Sequence, residues 1–364
     1  MRPTRSASTV RQLVVIQVLL LLTTIGVVVR ALSPASSQHS SRRHVLETAA
    51  LATTTSLLPG NIIIGSSVAH AATTTSAKIN PIATLSDGTT QFPLASFGLQ
   101  IYNDDKAYKL TTLALKLGYR NFFASVLAGN QRGFAKAVKD SGVDRKELFI
   151  CGSVVSNRAQ GFRAAQDDTT AGWKRNMEAF AVGNIEYLDQ IMLDYPGPDA
   201  ASIQGQWASF QTMQQQGLTK TLSVSNFNGK QLDAILAPSK TNNANDNYQL
   251  SVKPLVNQLP YSVAYHPNQQ TTLEQNAQRG LLVQAWAPLG GSLGGRFSSS
   301  IKGKCADIGK KYNKSFAQVA LRWIVQTGAS FTTQSQNEEH FQQNLDIFDF
   351  ELSPEDMAEL SSLA

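Results

Sequence analysis

Four stretches of the chain carry side chains able to hold, donate or accept a proton. Asp194 and Tyr195 close the apolar run YLDQIMLDY (187–195), and Ser153 closes ELFICGS (147–153). Tyr102, Asp104 and Asp105 end or follow SFGLQIY (96–102), and Tyr261 and His266 lie in a loop after PLVNQL (254–259). In folds that alternate strands and helices, chemistry gathers at the far ends of the strands. Asp194 is therefore the best acid/base candidate, with a solvated or backbone-bonded carboxylate as the alternative. Asp104 and Asp105 fit helix capping better than catalysis. Ser153 has no adjacent base, so it is no nucleophile. Tyr261 or His266 can supply a proton, although a surface position suits such loop residues. GYRNFFASVLAGN (118–130) is the contrary case. Its strand-like portion, Asn121–Val126, ends in phenylalanines, aliphatics and small residues, with Phe122 and Phe123 expected to fill volume.

Metal chemistry has no support in the spacing. Cys151 and Cys305 are far apart and form no C-x-x-C, and His39, His44, His70, His266 and His340 form no H-x-x-x-H pair. No disulfide is expected between such distant cysteines. With 42% hydrophobic and 16% charged residues, the chain of 364 has the composition of a globular protein. The net charge of +6 is unevenly placed: residues 1–71 hold six Arg, no Lys and a single acid, Glu47. The remaining 26 basic and 25 acidic residues nearly balance, which removes the electrostatic case for nucleic acid.

The basic segment reads as an address. Arg2, Arg5 and Arg11 precede the apolar LVVIQVLLLLTTIGVVV (13–29), the layout of a secretory signal. A membrane anchor is the alternative, because the run approaches the ~17–25 residues that span a bilayer. A second signal follows, with Arg42-Arg43, a mildly apolar run, and Ala69-His70-Ala71 as an A-x-A cleavage site. That combination resembles a twin-arginine export signal. Two signals in series resemble precursors bound for the thylakoid lumen of plastids acquired by secondary endosymbiosis, with secretion or an N-terminal anchor as the alternative. The expected organisation is a bipartite presequence over 1–71, a linker over 72–84 and a folded domain over 85–364, with no membrane association after processing.

The domain alternates. Apolar runs at 96–102, 147–153, 187–195, 219–225, 254–259 and 281–287, with GYRNFFASV and ASFTTQS (329–335), give about eight buried strands. Helical patterns separate them, at 106–118 (closing on Gly118) and near 130–141, 168–183, 202–216, 229–237, 270–279 and 313–327. Eight such units match a (β/α)8 TIM barrel. The alternative, an open doubly wound sheet, lacks its G-x-G-x-x-G marker. LSDGTTQFP (85–93) reads as a short hairpin before the barrel.

Several stretches together resemble the aldo-keto reductases: GYR (118–120), YLDQIML (187–193), LSVSNFNGKQLDAIL (222–236), Asn257-Gln258, AWAPLG (285–290), FAQVALRW (316–323) and NLDIFDFELSPEDM (344–357). They occur in the right order over about 85–364. The resemblance implies a (β/α)8 barrel and carbonyl reduction with NADPH. It also implies an Asp/Tyr/Lys/His tetrad, whose positions here hold Phe123, Ala128, Ser153 and Asp194. It assigns the nicotinamide carboxamide to Ser225, Asn226 and Gln258, ring stacking to Trp286, and pyrophosphate contact to the Gly-rich GGSLGG (290–295). The adenosine end falls to Ser335 and Asn344. The 2′-phosphate clamp is weakened, with Gln334 and His340 where cations are usual; NADP, NAD or no nucleotide all stay open, and no metal is implied. The kept Ser-Asn and Asn-Gln pairs can alternatively brace the barrel rim.

Three functions follow. The first is a reductase-like domain without the tetrad that still binds nucleotide and works with an unknown lumenal protein partner. The second is an active oxidoreductase with a rebuilt proton donor, and the third a structural lumenal protein. N-terminal sequencing of the protein isolated from its native cells is expected to start near Ala72; a start at Met1 overturns the presequence reading.

Overall fold

A computed structural model describes residues 80–238, 248–266, 268–290 and 296–364. The presequence, most of the linker and the Gly-rich segment beyond Gly290 lie outside these described residues.

The chain enters through an antiparallel hairpin, β1 (Ile82–Thr84) and β2 (Gln91–Pro93). Asp87 holds its turn by accepting from the backbone amides of Thr89 and Thr90. Eight parallel strands follow: β3 (Ala95–Gly98), β4 (Asn121–Phe123), β5 (Phe149–Val154), β6 (Leu188–Asp194), β7 (Thr219–Ser225), β8 (Val256–Pro260), β9 (Leu282–Trp286) and β10 (Ser330–Thr333). They pair in sequence order, and β10 closes the ring by pairing with both β3 and β9. The fold is a (β/α)8 barrel with a hairpin at its entrance.

Helices α1 (Asp104–Lys116), α2 (Gln131–Ser141), α3 (Phe162–Phe180), α4 (Ala200–Gln215), α5 (Gly229–Leu236) and α6 (Gln269–Ala277) alternate with the strands. Then come α7 (Ser299–Tyr312), α8 (Phe316–Gln326), α9 (Glu338–Leu345) and α10 (Pro354–Ser361). Short polar side chains start them: Asn103, Asp199, Asn228, Ser298, Ser315 and Ser353 each accept a backbone amide of the first turn.

Three helices exceed the sequence expectation. α7 carries glycines and lysines that blur its apolar period, and α9 and α10 are short and largely polar. The helix expected over 313–327 begins instead at Phe316, because Asn313 is left-handed at φ 54 and Ser315 with Gln318 forms a capping box. Among the strands that end earlier than expected are β3 and β4, and Asn130 bonds across both exits. Its amide donates to the carbonyls of Leu99 and Tyr102, and its oxygen accepts the amide of Ser125. One side chain thus turns both exiting strands away from the ladder, so β3 stops at Gly98 and β4 at Phe123.

Alternation divides the side chains between two cores. Ile150, Val154, Ile191, Leu193, Leu222 and Val224 join Phe134, Trp173, Phe180, Trp207 and Phe210 between strands and helices. The intervening residues face the barrel axis. At the floor, Phe92 of the hairpin packs edge-on against Phe149, their ring centres 5.0 Å apart, beside Leu85, Leu255 and Val256. Above it, Phe123, Cys151 and Met192 form a separate cluster. The free thiols of Cys151 and Cys305 are both buried, one in this cluster and the other on α7. Among the described residues no helix is long and apolar enough to cross a membrane.

Asp104 caps a helix other than its own: its carboxylate accepts the Gly133 amide, 2.7 Å away in the first turn of α2. The same contact leaves no room at Gly133, where a Cβ would lie 2.0 Å from the Asp104 carbonyl oxygen. Backbone cannot yield as a flexible side chain does, so Gly133→Ala is expected to cost about 1–3 kcal/mol. Urea denaturation checks this, with Gly303→Ala, where a Cβ meets open space, as the control.

Candidate functional site

Strand register sets one row at the C-terminal rim of the barrel. Asp194 on β6 lies beside Ser225 on β7, Ser225 beside Gln258 on β8, and Gln258 beside Gln284 on β9. All four belong to the axis-facing set. Ser225, Gln258 and Gln284 are buried, and Asp194 is partly exposed.

The row is extended by two residues just above it. Asn226 follows Ser225 in a left-handed conformation, φ 66, and its amide N–H bonds the Gln258 carbonyl at 2.9 Å. This folds its side chain back over the row. Its Nδ2 donates to the Ser225 hydroxyl at 2.9 Å and to Asp194 Oδ1 at 3.3 Å. Its Oδ1 accepts the Trp286 indole N–H at 3.1 Å. Ser225 in turn bonds the Asp194 carboxylate. A chain of aligned donors therefore runs from Trp286 through Asn226 and Ser225 and ends on Asp194, while Gln258 donates to Gln284 at 2.8 Å.

Burial pushes the Asp194 carboxyl up to about 6, and the bonds from Ser225 and Asn226 only partly oppose it. Among the described residues no Lys or Arg is among the groups acting on it. Tyr195, beside it, takes φ 71 and is 37% exposed, with its phenol raised by burial and by Asp194. Ala287, next to Trp286, is a third non-glycine at positive φ, 51. Three such residues at one rim mark a place where backbone strain is tolerated.

The other expected positions differ in surroundings. Phe123 is buried in the lumen against Cys151 and Met192. Ala128 lies in the partly exposed turn after β4. Ser153 is fully buried, and its hydroxyl accepts the Val126 amide at 3.4 Å, bracing that turn. Asn257 faces outward, donating to the Phe227 carbonyl and to Asn276 of α6, so the Asn-Gln pair divides between bracing and site.

After β10, Ser335 bonds Asn337, and buried Asn344 donates to Thr333. Gln334 is exposed and donates to Gln100 at 2.6 Å. His340 is exposed on α9, whose first turn carries two further exposed acids, Glu338 and Glu339. Among the described residues no cluster of His, Cys, Asp and Glu is arranged to hold a metal.

Three loop candidates are placed elsewhere. Tyr102 is buried, donating to the Ser335 carbonyl at 3.3 Å. Tyr261 and His266 are not at the surface. Tyr261 stacks on Trp323 of α8 with ring centres 5.3 Å apart and donates to Thr327, its phenol pushed up to about 12 by burial. The ring nitrogens of His266 face the carbonyls of Ser262 and Ser361. Gln284 was not singled out from sequence, yet it sits two residues before Trp286 and so shares its face. Glu338 and Glu339 carry no such signal.

A model of the Aldo/keto reductase family matches residues 85–364. The glyoxal reductase of Bacillus subtilis is 32% identical over 278 residues, covering 73% of this chain and 88% of that protein. An aldo-keto reductase of Mycolicibacterium vanbaalenii is 30% identical over 291 residues, covering 79% and 94%. The crystal structure of an aldo/keto reductase from Brucella melitensis superposes with a TM-score of 0.66 at 25% identity, covering 79% of this chain and all of that one.

Asp194 also carries a pH signature. Its folded value is raised to about 6 from 3.8, so the folded state holds the proton more tightly. Stability is thus expected to fall as pH rises from about 4 to about 6, by about 1–3 kcal/mol. Denaturation of the wild type and Asp194→Asn between pH 4 and 7 tests this. The variant should lose that segment of the pH dependence; parallel curves contradict it.

Proposed function

This chain belongs to the aldo/keto reductase family, and we propose that it is a nucleotide-binding member without the family's usual proton-donating tetrad. One contrast carries the reading: the Ser225–Asn226–Gln258–Trp286 corner is assembled, whereas Phe123, Ala128 and Ser153 offer no proton relay. The donor chemistry of the corner fits a nicotinamide carboxamide. A hydroxyl and two amides lie along one rim, and a partly exposed indole is held by Asn226 at its edge. Ser225, Asn226 and Gln258 would orient the carboxamide and Trp286 would cover one face of the ring. Such a dinucleotide, when bound, supplies a hydride couple.

Proton supply is the missing half. Phe123 and Ala128 carry no titratable group, and the Ser153 hydroxyl is engaged by the Val126 amide. Asp194 supports a second reading, an active oxidoreductase, because a carboxyl near 6 is partly protonated near neutrality. At the adenosine end, Gln334, Glu338 and Glu339 favour NAD over NADP, since a neutral amide gives a 2′-phosphate no counter-charge and the two carboxylates repel it. The two N-terminal signals support a place in the thylakoid lumen, where a sensor or assembly role with a protein partner suits a domain of this kind.

Calorimetric titration of the purified protein with NADH and NADPH, followed by an assay on a panel of aldehydes, tests this. NADH is expected to bind at sub-millimolar concentration and at least as tightly as NADPH, with no aldehyde turnover. No binding at millimolar nucleotide leaves only a structural role. Turnover transfers the conclusion to the second reading, and Asp194→Asn should then slow it about 100-fold.

A further inference from the structure

We propose that Asp194 makes this site discriminate between redox states, holding the oxidised, cationic nicotinamide more tightly than the reduced, neutral one. The inference rests on the nucleotide reading above. It concerns a charge that the reading leaves unused.

Asp194 lies in register with Ser225, and its carboxylate accepts from the Asn226 amide at 3.3 Å. The two residues beside it are thus two of the three that fit the carboxamide. Its bonding partners, Ser225 and Asn226, are neutral and do not cancel its charge. The titratable groups it influences are Tyr195, next along the chain, and Cys151, on the neighbouring strand β5. Both thiol and phenol are raised and stay neutral near pH 7, so neither compensates the carboxylate. Removing water from a charge with no counter-ion is unfavourable, and any cation placed nearby relieves it.

The two forms of the dinucleotide differ in just this respect. The oxidised ring carries a positive charge that the reduced ring lacks, while the phosphates and adenosine are common to both. Every other charge along the dinucleotide therefore acts equally on both forms and cancels in the ratio of their affinities. What remains acts on the ring itself: the Trp286 face, whose attraction for the cationic ring is the same at every pH, and the Asp194 carboxylate, whose attraction changes with pH. At the effective dielectric of a partly buried site, the pair of carboxylate and ring is worth about tenfold in affinity.

The sign with pH is fixed. Deprotonated Asp194 favours the oxidised form; protonated Asp194 has no charge to offer and its part of the preference disappears. With the carboxyl held up to about 6, the change falls within an accessible range. By linkage, the bound oxidised form must also favour loss of the Asp194 proton. The site would report the redox poise of the nucleotide pool without turning it over.

The test is calorimetric titration of the purified protein with NAD+, NADH, NADP+ and NADPH at pH 5 and pH 8. For each pair, the ratio of reduced to oxidised Kd is expected to rise about fivefold from the lower to the higher pH, because about a tenth of the carboxyl is already ionised at pH 5. Asp194→Asn should hold the ratio at its wild-type pH 5 value, and Asp194→Glu, which restores the charge, should recover part of the rise. The Glu variant and the wild-type pH profile decide the matter if the Asn variant does not fold. A pH-independent wild-type ratio, or an Asn variant that follows the wild type, overturns the role of Asp194 and leaves nucleotide binding standing. Failure of all four nucleotides to bind at millimolar concentration overturns the nucleotide reading itself, and this inference with it.

Discussion

A closed ring of eight parallel strands has no edge, and that closure governs the rest of this molecule. Once β10 pairs with both β3 and β9, the register of every strand is fixed by its two neighbours. A slip of one residue in any strand would exchange its buried apolar side chains for its axis-facing polar ones. Barrel interiors are usually filled by layers of branched aliphatics. Here the axis instead receives Ser96, Gln190, Thr221, Ser223 and Ser330, all buried, with Phe149 at the floor and Met192 higher up. Apolar burial is concentrated outside the ring, where the strands meet the helices. The interior is thereby left to hydrogen bonding, and its upper rim to charge.

At that rim, the left-handed turn at Asn226 converts register into a site. An ordinary extended residue there would aim its side chain at the helices. At φ 66 the amide instead lies over Ser225 and reaches both Asp194 and Trp286, elements from three different strands. Strain of this kind costs about 1–2 kcal/mol per residue outside glycine. Tyr195 and Ala287 share it at the ends of β6 and β9. The backbone bond from Asn226 to Gln258 holds the turn in place, so the corner is formed before anything binds. Preorganisation on that side contrasts with the side of β4 and β5, where Phe123 is packed and Ser153 braces a turn.

Much of the fold was legible because it depends on local pattern. Eight apolar runs with helical stretches between them specify the ring, and Asp-Gly in LSDGTTQFP marks the hairpin. The misses share one cause: polar side chains that act over long sequence separation. Asn130 shortens two strands by bonding residues about thirty positions away. Asp104 caps a helix as expected, but that helix is α2 rather than its own. Tyr261 and His266 look like surface residues by sequence, yet in their loop Trp323 of α8 and Ser361 of α10 bury them.

The sequence by itself determined the ring, the order of its strands and the face on which each side chain lies, because alternation and apolar period are local properties. It also determined which groups are present at the rim: Ser225 closes its run, and Asp194, Gln258 and Trp286 each stand one residue from the end of theirs. Only the tertiary structure decided how those groups are used. Bonds between strands made Asp194 the terminus of a chain of neutral donors, and burial without a cation raised its carboxyl. Neither the partner of a hydrogen bond nor the water lost from a charge is a property of the neighbouring residues in sequence. Both are set by what the closed barrel brings within about 3 Å.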